Sequence, residues 1–423
     1  QEYEINFHTI LRSGDKLGDS IFGAIYDKNN NFLKVSNSND FSSLIKIEEK
    51  IFMLSHFETV PAAIYLSELR QSEDGKLHAV STKNIDFSAF EGLWNPCAGS
   101  ISPWNTHLAS EEYEPNAKNP NGKKALRMLE YFDKENEKIN PYRYGWTPEI
   151  KILNAKGEYE ITKHYAMGRF SHELALVMPD KRTVYLSDDG TNVALFMFVA
   201  DREEDLSSGV LYAAKWVQRD SQGMGEAKLE WVSLGHTSND MILKAIESNI
   251  SFEELFASDT KASKGFTQIN TNKYGVEYLQ VKAGMERWAS RLESRRYAAL
   301  LGATTEFSKM EGITYNKTNN KLYIAMSYII KGMENRASLG LASDAYDIEG
   351  ANHIQLEHNS CGGIYELEFS QGVESHDGKR INSEYVVTSM QGFLEGEMVS
   401  QNGANFCSTE KIANPDNITY IEK

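Results

Sequence analysis

Short apolar runs separated by tight-turn residues recur along this chain, and they constrain its fold more than any other feature. Residues 21–35, 174–187 and 311–326 each hold two strand-like runs around a turn, which is rich in asparagine in the first and third segments and contains Pro-Asp in the second. This alternation is typical of antiparallel hairpins. Loose copies of one phrase, at 23–27, 312–316 and 417–420, indicate repeats that stack on one another to bury their faces. The sequence therefore predicts an all-β fold of the β-propeller type, without a blade number.

Less regular segments interrupt the hairpins at 113–145 and 250–305, and their patterns favour helices over 123–138 and 283–301. Neither segment has linker composition, so we expect one domain over 1–423 that carries helical and loop insertions. Residues 42–55 fit either an inserted helix or a strand with a polar rim. Four arginines in the second insertion are expected on a solvated helix face, with a phosphate-facing role as the alternative: Arg287, Arg291, Arg295 and Arg296.

The charge balance limits the partners of this protein. Lys and Arg number 44 against 60 Asp and Glu, which gives a formal net charge of −16. This argues against nucleic acid and anionic membrane surfaces as partners, and an anionic substrate would need a local positive field, for which bound cations are the obvious source. No run approaches the ~20 apolar residues of a membrane helix. Because the chain opens on Gln1, we expect an exported and processed form, with a trimmed sequence as the alternative.

The segment 95–112 has the composition of a shaped loop that leads into two carboxylates. It holds Cys97, two prolines, a glycine and a tryptophan, and a short strand-like run then precedes Glu111 and Glu112. Neighbours on a strand point to opposite faces, so one glutamate could face a central site and the other a flank. A thiolate with carboxylates suits a transition metal, iron or zinc, beside a harder oxygen-liganded ion. The alternative is a buried free cysteine followed by two solvated glutamates.

The three cysteines, Cys97, Cys361 and Cys407, are too few and too scattered for a disulfide framework. A metal-ligating cysteine would account for the odd number.

The loop at 95–112 resembles the signature loop of the PhoX-type alkaline phosphatases, which runs roughly Asn-Cys-Ala-Gly-Gly-x-Thr-Pro-Trp-x-Thr-Trp-Leu-x-x-Glu-Glu. The matching positions are Cys97, Ala98, Gly99, Pro103, Trp104, Thr106, Leu108, Glu111 and Glu112. The departures are Pro96 before the cysteine, Ser100 for a glycine, Ser102 for a threonine and His107 for an aromatic residue. None of them removes a candidate ligand.

Five further segments resemble acidic segments of the same family. The string Gly-Arg-Phe-Ser-His-Glu at 168–173 makes Glu173 a metal ligand and Arg169 a supporting charge, and the Asp-Asp pair that follows makes Asp188, ahead of Asp189, a calcium ligand. Residues 307–312 resemble a Phe-x-Arg-Pro-Glu segment, in which Glu311 keeps the ligand carboxylate. Lys309 replaces the arginine of that segment and offers a phosphoryl group a point charge instead of a bidentate fork. The last two segments are 393–397 and 414–417, and the resemblance makes Glu397 and Asp416 in them calcium ligands.

The resemblance implies a secreted, periplasmic or cell-surface phosphomonoesterase that acts on small-molecule phosphate esters. Its implied cofactors are iron, with Cys97 as a ligand, and several calcium ions. In a second hypothesis the chain is an inactive calcium-binding propeller used in adhesion or assembly, and in a third it hydrolyses other esters with a metal. The family continues through further strands beyond the position of Lys423. The final blade is therefore absent, or a partner chain supplies it, or the sequence is incomplete.

Overall fold

The computed structural model describes residues 7–132, 138–271, 275–335, 351–399 and 406–422. Within these ranges it is built mainly from antiparallel strands, as the sequence predicted. The chain folds into two compact units, Gln1–Tyr144 with Pro148–Thr162, and Gly145–Thr147 with Lys163–Lys423. The expectation of a single domain over 1–423 stays a prediction.

The first unit contains two four-stranded sheets, of order β5-β6-β7-β8 and β12-β11-β10-β9. Its strands are β1 Lys16–Leu17, β2 Ser20–Ile21, β3 Ala24–Tyr26, β4 Phe32–Val35, β5 Asn39–Ile47, β6 Lys50–Phe57, β7 Ala63–Gln71, β8 Leu77–Asn84, β9 Ser100–Ile101, β10 His107–Leu108, β11 Pro148–Ile152 and β12 Tyr159–Lys163. Its helix is α1 Lys123–Phe132. The helix expected over 123–138 therefore begins as predicted, and residues 133–137 lie outside the described ranges.

Residues 42–55 form strands and not a helix. They belong to β5 and β6, which pair antiparallel with Ser42 opposite Ser55 and Ile45 opposite Phe52. Ser43 and Ile45 are buried while the residues between and beside them are exposed, so the pattern in β5 has the period of two that a half-buried strand shows. The strand alternative with a polar rim is the correct one.

The second unit contains a nine-stranded antiparallel sheet of order β13-β14-β16-β17-β18-β26-β25-β24-β23. Its strands are β13 His172–Val177, β14 Thr183–Asp188, β15 Thr191–Val193, β16 Phe196–Arg202, β17 Asp205–Asp220, β18 Glu226–Ser238, β19 Phe256–Asp259, β20 Thr267–Asn270, β21 Val276–Val281, β22 Phe307–Ser308, β23 Met310–Asn316, β24 Lys321–Met326, β25 Gly363–Ser370 and β26 Val386–Glu395. Its helices are α2 Asn239–Glu247, α3 Phe252–Leu255, α4 Glu286–Leu292 and α5 Ser294–Leu300.

This sheet consists of two meanders that join where β18 pairs with β26. The first and last strands of its order, β13 and β23, also lie close to each other in space. The hairpins predicted at 174–187 and 311–326 are β13/β14 and β23/β24. The prediction of an all-β, propeller-type fold with helical insertions is confirmed.

The β13/β14 turn shows why this hairpin forms where the sequence predicts it. The carboxylate of Asp180 accepts hydrogen bonds from the amides of Arg182 and Thr183, at 3.1 and 2.9 Å, and Lys181 adopts a positive φ of 55°. This closes the turn and pairs His172 with Asp188. The start of β13 and the end of β14 therefore lie side by side.

The expected solvated face of four arginines is wrong for three of them. Arg291, Arg295 and Arg296 are buried, and Arg287 is exposed. The predicted run 283–301 folds as α4 and α5, and it presents these three side chains to the protein interior. Arg296 pairs there with two buried carboxylates, and Arg295 pairs with a third. A charge that is buried with its partner is tolerated, and a sequence cannot show that partner when it lies far along the chain.

One disulfide forms despite the scattered spacing of the cysteines. Cys361 and Cys407 are joined, with their Cα atoms 5.7 Å apart. Cys407 faces Met398 across an isolated antiparallel bridge, and the amide of Gly396 donates to the carbonyl of Gly362 at 2.8 Å. Segment 396–398 thus bonds to the neighbours of both cysteines, which are 46 residues apart in sequence. Cys97 lies outside the disulfide and keeps its thiol.

Candidate active site

Three buried carboxylates gather at the sheet edge, where the two outermost strands of the nine-stranded sheet, β13 and β23, approach each other. Glu173, Asp189 and Glu311 each place a carboxylate oxygen within 4.8 Å of the others, and each side chain belongs to a residue that is at most 3% exposed. Glu173 is the second residue of β13, Asp189 follows the end of β14, and Glu311 is the second residue of β23. The pairing of β13 with β14 and the approach of β23 to β13 explain why residues so distant in sequence meet here.

Lys309 is the cation of this cluster. Its Nζ donates to Asp189 Oδ2 at 2.6 Å and to Glu311 Oε1 at 2.9 Å, and its side chain is 28% exposed. Its amide donates to the carbonyl of Gly190 at 2.7 Å, and its carbonyl accepts from the amide of Ser327 at 3.0 Å. Lys309 also has a positive φ of 54°, which is uncommon for a residue with a Cβ. These bonds hold Lys309 in that conformation beside the carboxylates.

Glu311 has the environment of a carboxyl group that can change its protonation state near neutral pH. Burial, together with the negative charge of Asp189, raises its pKa to about 7, although Lys309 opposes this shift. The Ser327 hydroxyl donates a hydrogen bond to Glu311 Oε1 at 3.1 Å.

Asp416 lies next to this cluster but is exposed. Its charge contributes to the raised pKa of Glu311, and its carbonyl accepts from the amide of Gly312 at 3.0 Å. A Cβ at Gly312 would lie 3.1 Å from that carbonyl oxygen, so glycine allows this close approach. Glu397 is also exposed, and its carbonyl accepts from the amide of Ser408 at 2.8 Å. The calcium-binding roles of Asp416 and Glu397 stay predictions.

Asp188, which the sequence ranked ahead of Asp189 as a ligand, has a different environment. Its carboxylate is fully buried and receives two hydrogen bonds from the Arg295 guanidinium, at 2.5 and 2.8 Å. Asp189, the second choice, is the residue that joins the cluster. The calcium-binding role of Asp188 stays a prediction, and its pairing with Arg295 could not be predicted from the sequence because Arg295 is 107 residues away.

Arg169 is buried at 3% exposure and bonds to the C-terminal half of α4. Its amide donates to the carbonyl of Arg291 at 2.8 Å, and its guanidinium donates to the carbonyl of Leu292 at 3.3 Å. Its role as a charge that supports catalysis stays a prediction.

The loop at 95–112 brings Cys97 and Glu112 together within the first unit. The Cys97 Sγ lies within 4.8 Å of a Glu112 carboxylate oxygen and donates to Asp40 Oδ2 at 3.3 Å. Glu111 Oε1 accepts from the amide of Trp94 at 3.2 Å, and the role of Glu111 as a metal ligand stays a prediction. Both glutamates are buried, so the alternative of two solvated glutamates is wrong. No motif marked Asp40, which only the packing of β5 reveals.

Two buried histidines orient this loop, and only one of them, His107, stands within the motif that the sequence singled out. His56 Nδ1 lies 2.6 Å from the carbonyl of Cys97, the two Nε2 atoms of His56 and His107 are 2.7 Å apart, and His107 Nδ1 lies 2.8 Å from Ser43 Oγ. Burial lowers the pKa of His56 to about 4 and lowers that of His107 well below its usual value, so both are neutral.

Because both histidines are neutral, the direction of each hydrogen bond from Ser43 through His107 and His56 to Cys97 is fixed. The Cys97 carbonyl can only accept, so His56 carries its proton on Nδ1 and accepts at Nε2. His107 must then donate from Nε2 and accept at Nδ1 from the Ser43 hydroxyl. The pair therefore holds the Cys97 carbonyl through one set of tautomers.

The donor set at the sheet edge fits a hard cation. Oxygen ligands from carboxylates are those that calcium takes, and three buried carboxylates with one lysine leave an excess of negative charge that a bound cation would balance. The class of protein defined by this fold and site is an all-β, propeller-type protein whose gathered carboxylates could hold a cation.

Comparison with known proteins defines this class further. The family model described as alkaline phosphatase PhoX matches residues 69–422. The chain belongs to the PhoX alkaline phosphatase family, and it is therefore a phosphatase. No curated protein matches the sequence.

Among solved structures, the chain is similar to Pseudomonas fluorescens PhoX in complex with vanadate, a transition state analogue. The match has 15% identity and a TM-score of 0.60, and it covers 96% of this chain and 77% of the other. It confirms the fold. A carbohydrate-active enzyme of family AA12 from Trichoderma reesei matches with 10% identity and a TM-score of 0.31, over 99% of this chain and 95% of the other.

Proposed function

We propose that this protein is an exported, metal-dependent phosphomonoesterase that releases phosphate from small-molecule phosphate esters. The observation that carries the proposal is the contact of Lys309 with two members of a buried three-carboxylate cluster, at positions that resemble a phosphatase motif. The fold alone would not support this, because propeller-type scaffolds carry many activities.

Glu173, Asp189 and Glu311 would hold calcium at the sheet edge, since they offer only hard oxygen donors. Cys97 and Glu112 would be ligands of iron, because a thiolate suits a transition metal better than calcium. When bound, these cations would neutralise phosphoryl oxygens and stabilise the charge that develops during transfer.

The residues of the chain supply positioning and charge. The ammonium of Lys309 is partly exposed and is fixed by two carboxylates, so it can attract a phosphoryl oxygen without a large rearrangement. Its compact charge lacks the two parallel donors of an arginine, so we expect it to contribute attraction more than orientation. Because burial and the charge of Asp189 raise the pKa of Glu311 to about 7, a cation has to compete with a proton for this carboxylate in the neutral range.

The disulfide supports export. Disulfides persist in oxidising compartments such as the periplasm and the cell exterior, and Cys361–Cys407 joins two segments of the second unit. Across the described part of the chain, no helix is both long and apolar enough to cross a membrane.

Elemental analysis of the purified protein, paired with hydrolysis of an aryl phosphate before and after chelation, tests the proposal. We expect iron and calcium in the protein, turnover that the chelator abolishes, and inhibition by vanadate. Turnover that survives complete removal of the metals would contradict the proposal. Calcium without turnover would instead support the inactive adhesion or assembly module.

A matched pair of variants locates the reaction. Glu311→Gln removes a negative charge from the cluster with little change of shape, so we expect loss of calcium and turnover. Glu366→Gln is the control, because Glu366 is also a buried glutamate bound to a lysine, Lys321, but lies outside the cluster. Equal losses in both variants would show that the effect of Glu311→Gln is not specific.

A further inference from the structure

We infer that Arg295 and Asp188 form a positioning pair, which holds in place the two segments that carry Glu173 and Asp189. The inference rests on the proposed function only in that the cluster binds a cation. Asp188 thereby has a structural role and Asp189 a role in the site, although the two carboxylates are adjacent in sequence.

The ion pair itself is bidentate and buried. Arg295 Nε donates to Asp188 Oδ2 at 2.8 Å, and a terminal nitrogen donates to Oδ1 at 2.5 Å. The side chains are 6% and 0% exposed. A planar fork of this kind fixes the orientation of a carboxylate as well as its position. The guanidinium is thus engaged away from solvent, which argues against the alternative that Arg295 faces a phosphate.

Asp188 also accepts hydrogen bonds from the backbone on both sides of the cluster. Its Oδ1 accepts from the amide of Ser171 at 3.2 Å, and its Oδ2 accepts from the amide of Ala194 at 3.1 Å. Ser171 precedes Glu173 by two residues, and its carbonyl accepts from the amide of Asp189 at 2.9 Å. One carboxylate therefore joins the approach to β13, the end of β14 and α5.

Helix α4 holds the same approach to β13 from its other end. Arg291, which is fully buried, donates from Nε to the carbonyl of Ala166 at 2.6 Å and accepts at its own carbonyl from the amide of Arg169 at 2.8 Å. The Ser294 hydroxyl also accepts from the amide of Arg169, at 3.1 Å. The insertion thus supports residues 166–171 at several points, although Arg291 and Ala166 are 125 residues apart in sequence.

Charge gives the pair a second role. Asp188 is a further buried carboxylate, directly before Asp189 in sequence, and an uncompensated buried charge is strongly unfavourable. Arg295 balances it, so that the remaining charge of the cluster is available to a cation. Supporting residues of this kind typically contribute tenfold to a hundredfold in metal affinity when they orient direct ligands.

Arg295→Met tests the inference, with Arg296→Met as its matched control. Arg296 lies on the same helix and is equally buried, and it pairs with Glu277 and Glu293, each at 2.7 Å, neither of which belongs to the cluster. The probe is Ca²⁺ alone, titrated against a chelator into the full-length protein, and the relevant site is the one that Glu311→Gln abolishes. We expect Arg295→Met to weaken Ca²⁺ binding about tenfold to a hundredfold. Arg296→Met should leave that affinity unchanged.

Amide exchange gives a readout that does not depend on metal. Without Arg295, Asp188 is a weaker anchor, so the amides of Ser171 and Ala194 should exchange faster in the Arg295→Met protein than in the Arg296→Met protein. Arg295→Lys keeps the charge but not the fork, and its affinity and exchange rates should fall between those of the wild type and Arg295→Met.

Two results would overturn the inference. One is an equal loss of Ca²⁺ affinity in Arg295→Met and Arg296→Met, and the other is unchanged exchange at Ser171 and Ala194 in Arg295→Met and Arg295→Lys. A wild-type protein that binds no Ca²⁺ and turns over in chelator would instead refute the proposed function, and the exchange measurement would still decide the role of the pair.

Discussion

Lys309, at the scale of single residues, gives the most direct test of the proposed function. In Lys309→Met, Asp189 and Glu311 keep their positions but lose an ammonium that bonds to both. We expect kcat/KM for an aryl phosphate to fall about a hundredfold to a thousandfold, the loss usual for one stabilising donor at a reacting oxyanion. Steady-state kinetics of the purified variant measures this loss.

Lys321→Met is the control for that prediction. Lys321 is 27% exposed and also bridges two carboxylates, those of Glu366 and Glu368, at 2.6 and 2.8 Å. It should keep wild-type kinetics, because its pair lies outside the cluster. A similar loss in both lysine variants would refute the assignment of Lys309. Lys309→Arg restores the residue of the family segment, and we expect it to retain turnover.

The neutral pair His56 and His107 makes folding stability depend on pH. In the unfolded chain both histidines protonate near pH 6.5. In the folded protein burial lowers the pKa of His56 to about 4 and lowers the pKa of His107 well below its usual value. The free energy of unfolding is therefore at its full value above about pH 7 and falls as the pH drops from 6.5 towards 4. Each histidine contributes about 1.4 kcal/mol per pH unit in that window.

Urea unfolding at several pH values measures this slope. In His107→Phe the slope between pH 6 and 5 should be shallower by roughly one proton, because one of the two titrating groups is gone. An unchanged slope would mean that these histidines do not govern acid stability.

The disulfide is the feature to test at the scale of elements. Cys361 and Cys407 enclose a loop of 46 residues, so the chain-entropy relation predicts that Cys361→Ser with Cys407→Ser lowers the free energy of unfolding by about 4 kcal/mol. Denaturant unfolding of this double variant against the wild type checks the value. Cys97→Ser controls for the loss of a cysteine, and in metal-free protein it should leave stability nearly unchanged, since Cys97 is not in the disulfide.

A thiol count checks the pairing directly. The denatured protein should show one reactive thiol per chain without reductant and three with it, because the chain contains three cysteines. Three reactive thiols in the unreduced protein would exclude this disulfide.

Hairpins are the elements that the sequence predicts best. Asp180 and the asparagines at 316–320 specify their turns through local hydrogen bonds, so β13/β14 and β23/β24 appear where the pattern placed them. The helical period also predicted the positions of α4 and α5, but it did not predict which of their faces is buried. Arg291 and Arg295 face inward because of partners that lie far away in sequence.

Net charge acts at the scale of the whole molecule. At a formal charge of −16 the protein repels a dianionic ester at long range, and salt screens that repulsion. We expect kcat/KM for an aryl phosphate to rise between about 10 and 150 mM salt, conditions that shorten the Debye length from ~30 to ~8 Å. A steep fall over this range would show that a local positive field at the site dominates the approach of substrate.

The sequence by itself determined the fold class, the loop around Cys97 and most of the acidic positions. Those features depend on local turn chemistry, on the period of two and on short contiguous motifs, which the order of residues records directly. Only the tertiary structure decided that Asp189 and not Asp188 joins Glu173 and Glu311, that three arginines are buried, and that Cys361 meets Cys407. The physical reason is the same in each case. The partner of a buried charge, or of a cysteine in a disulfide, lies far away in sequence, and only folding brings it within reach.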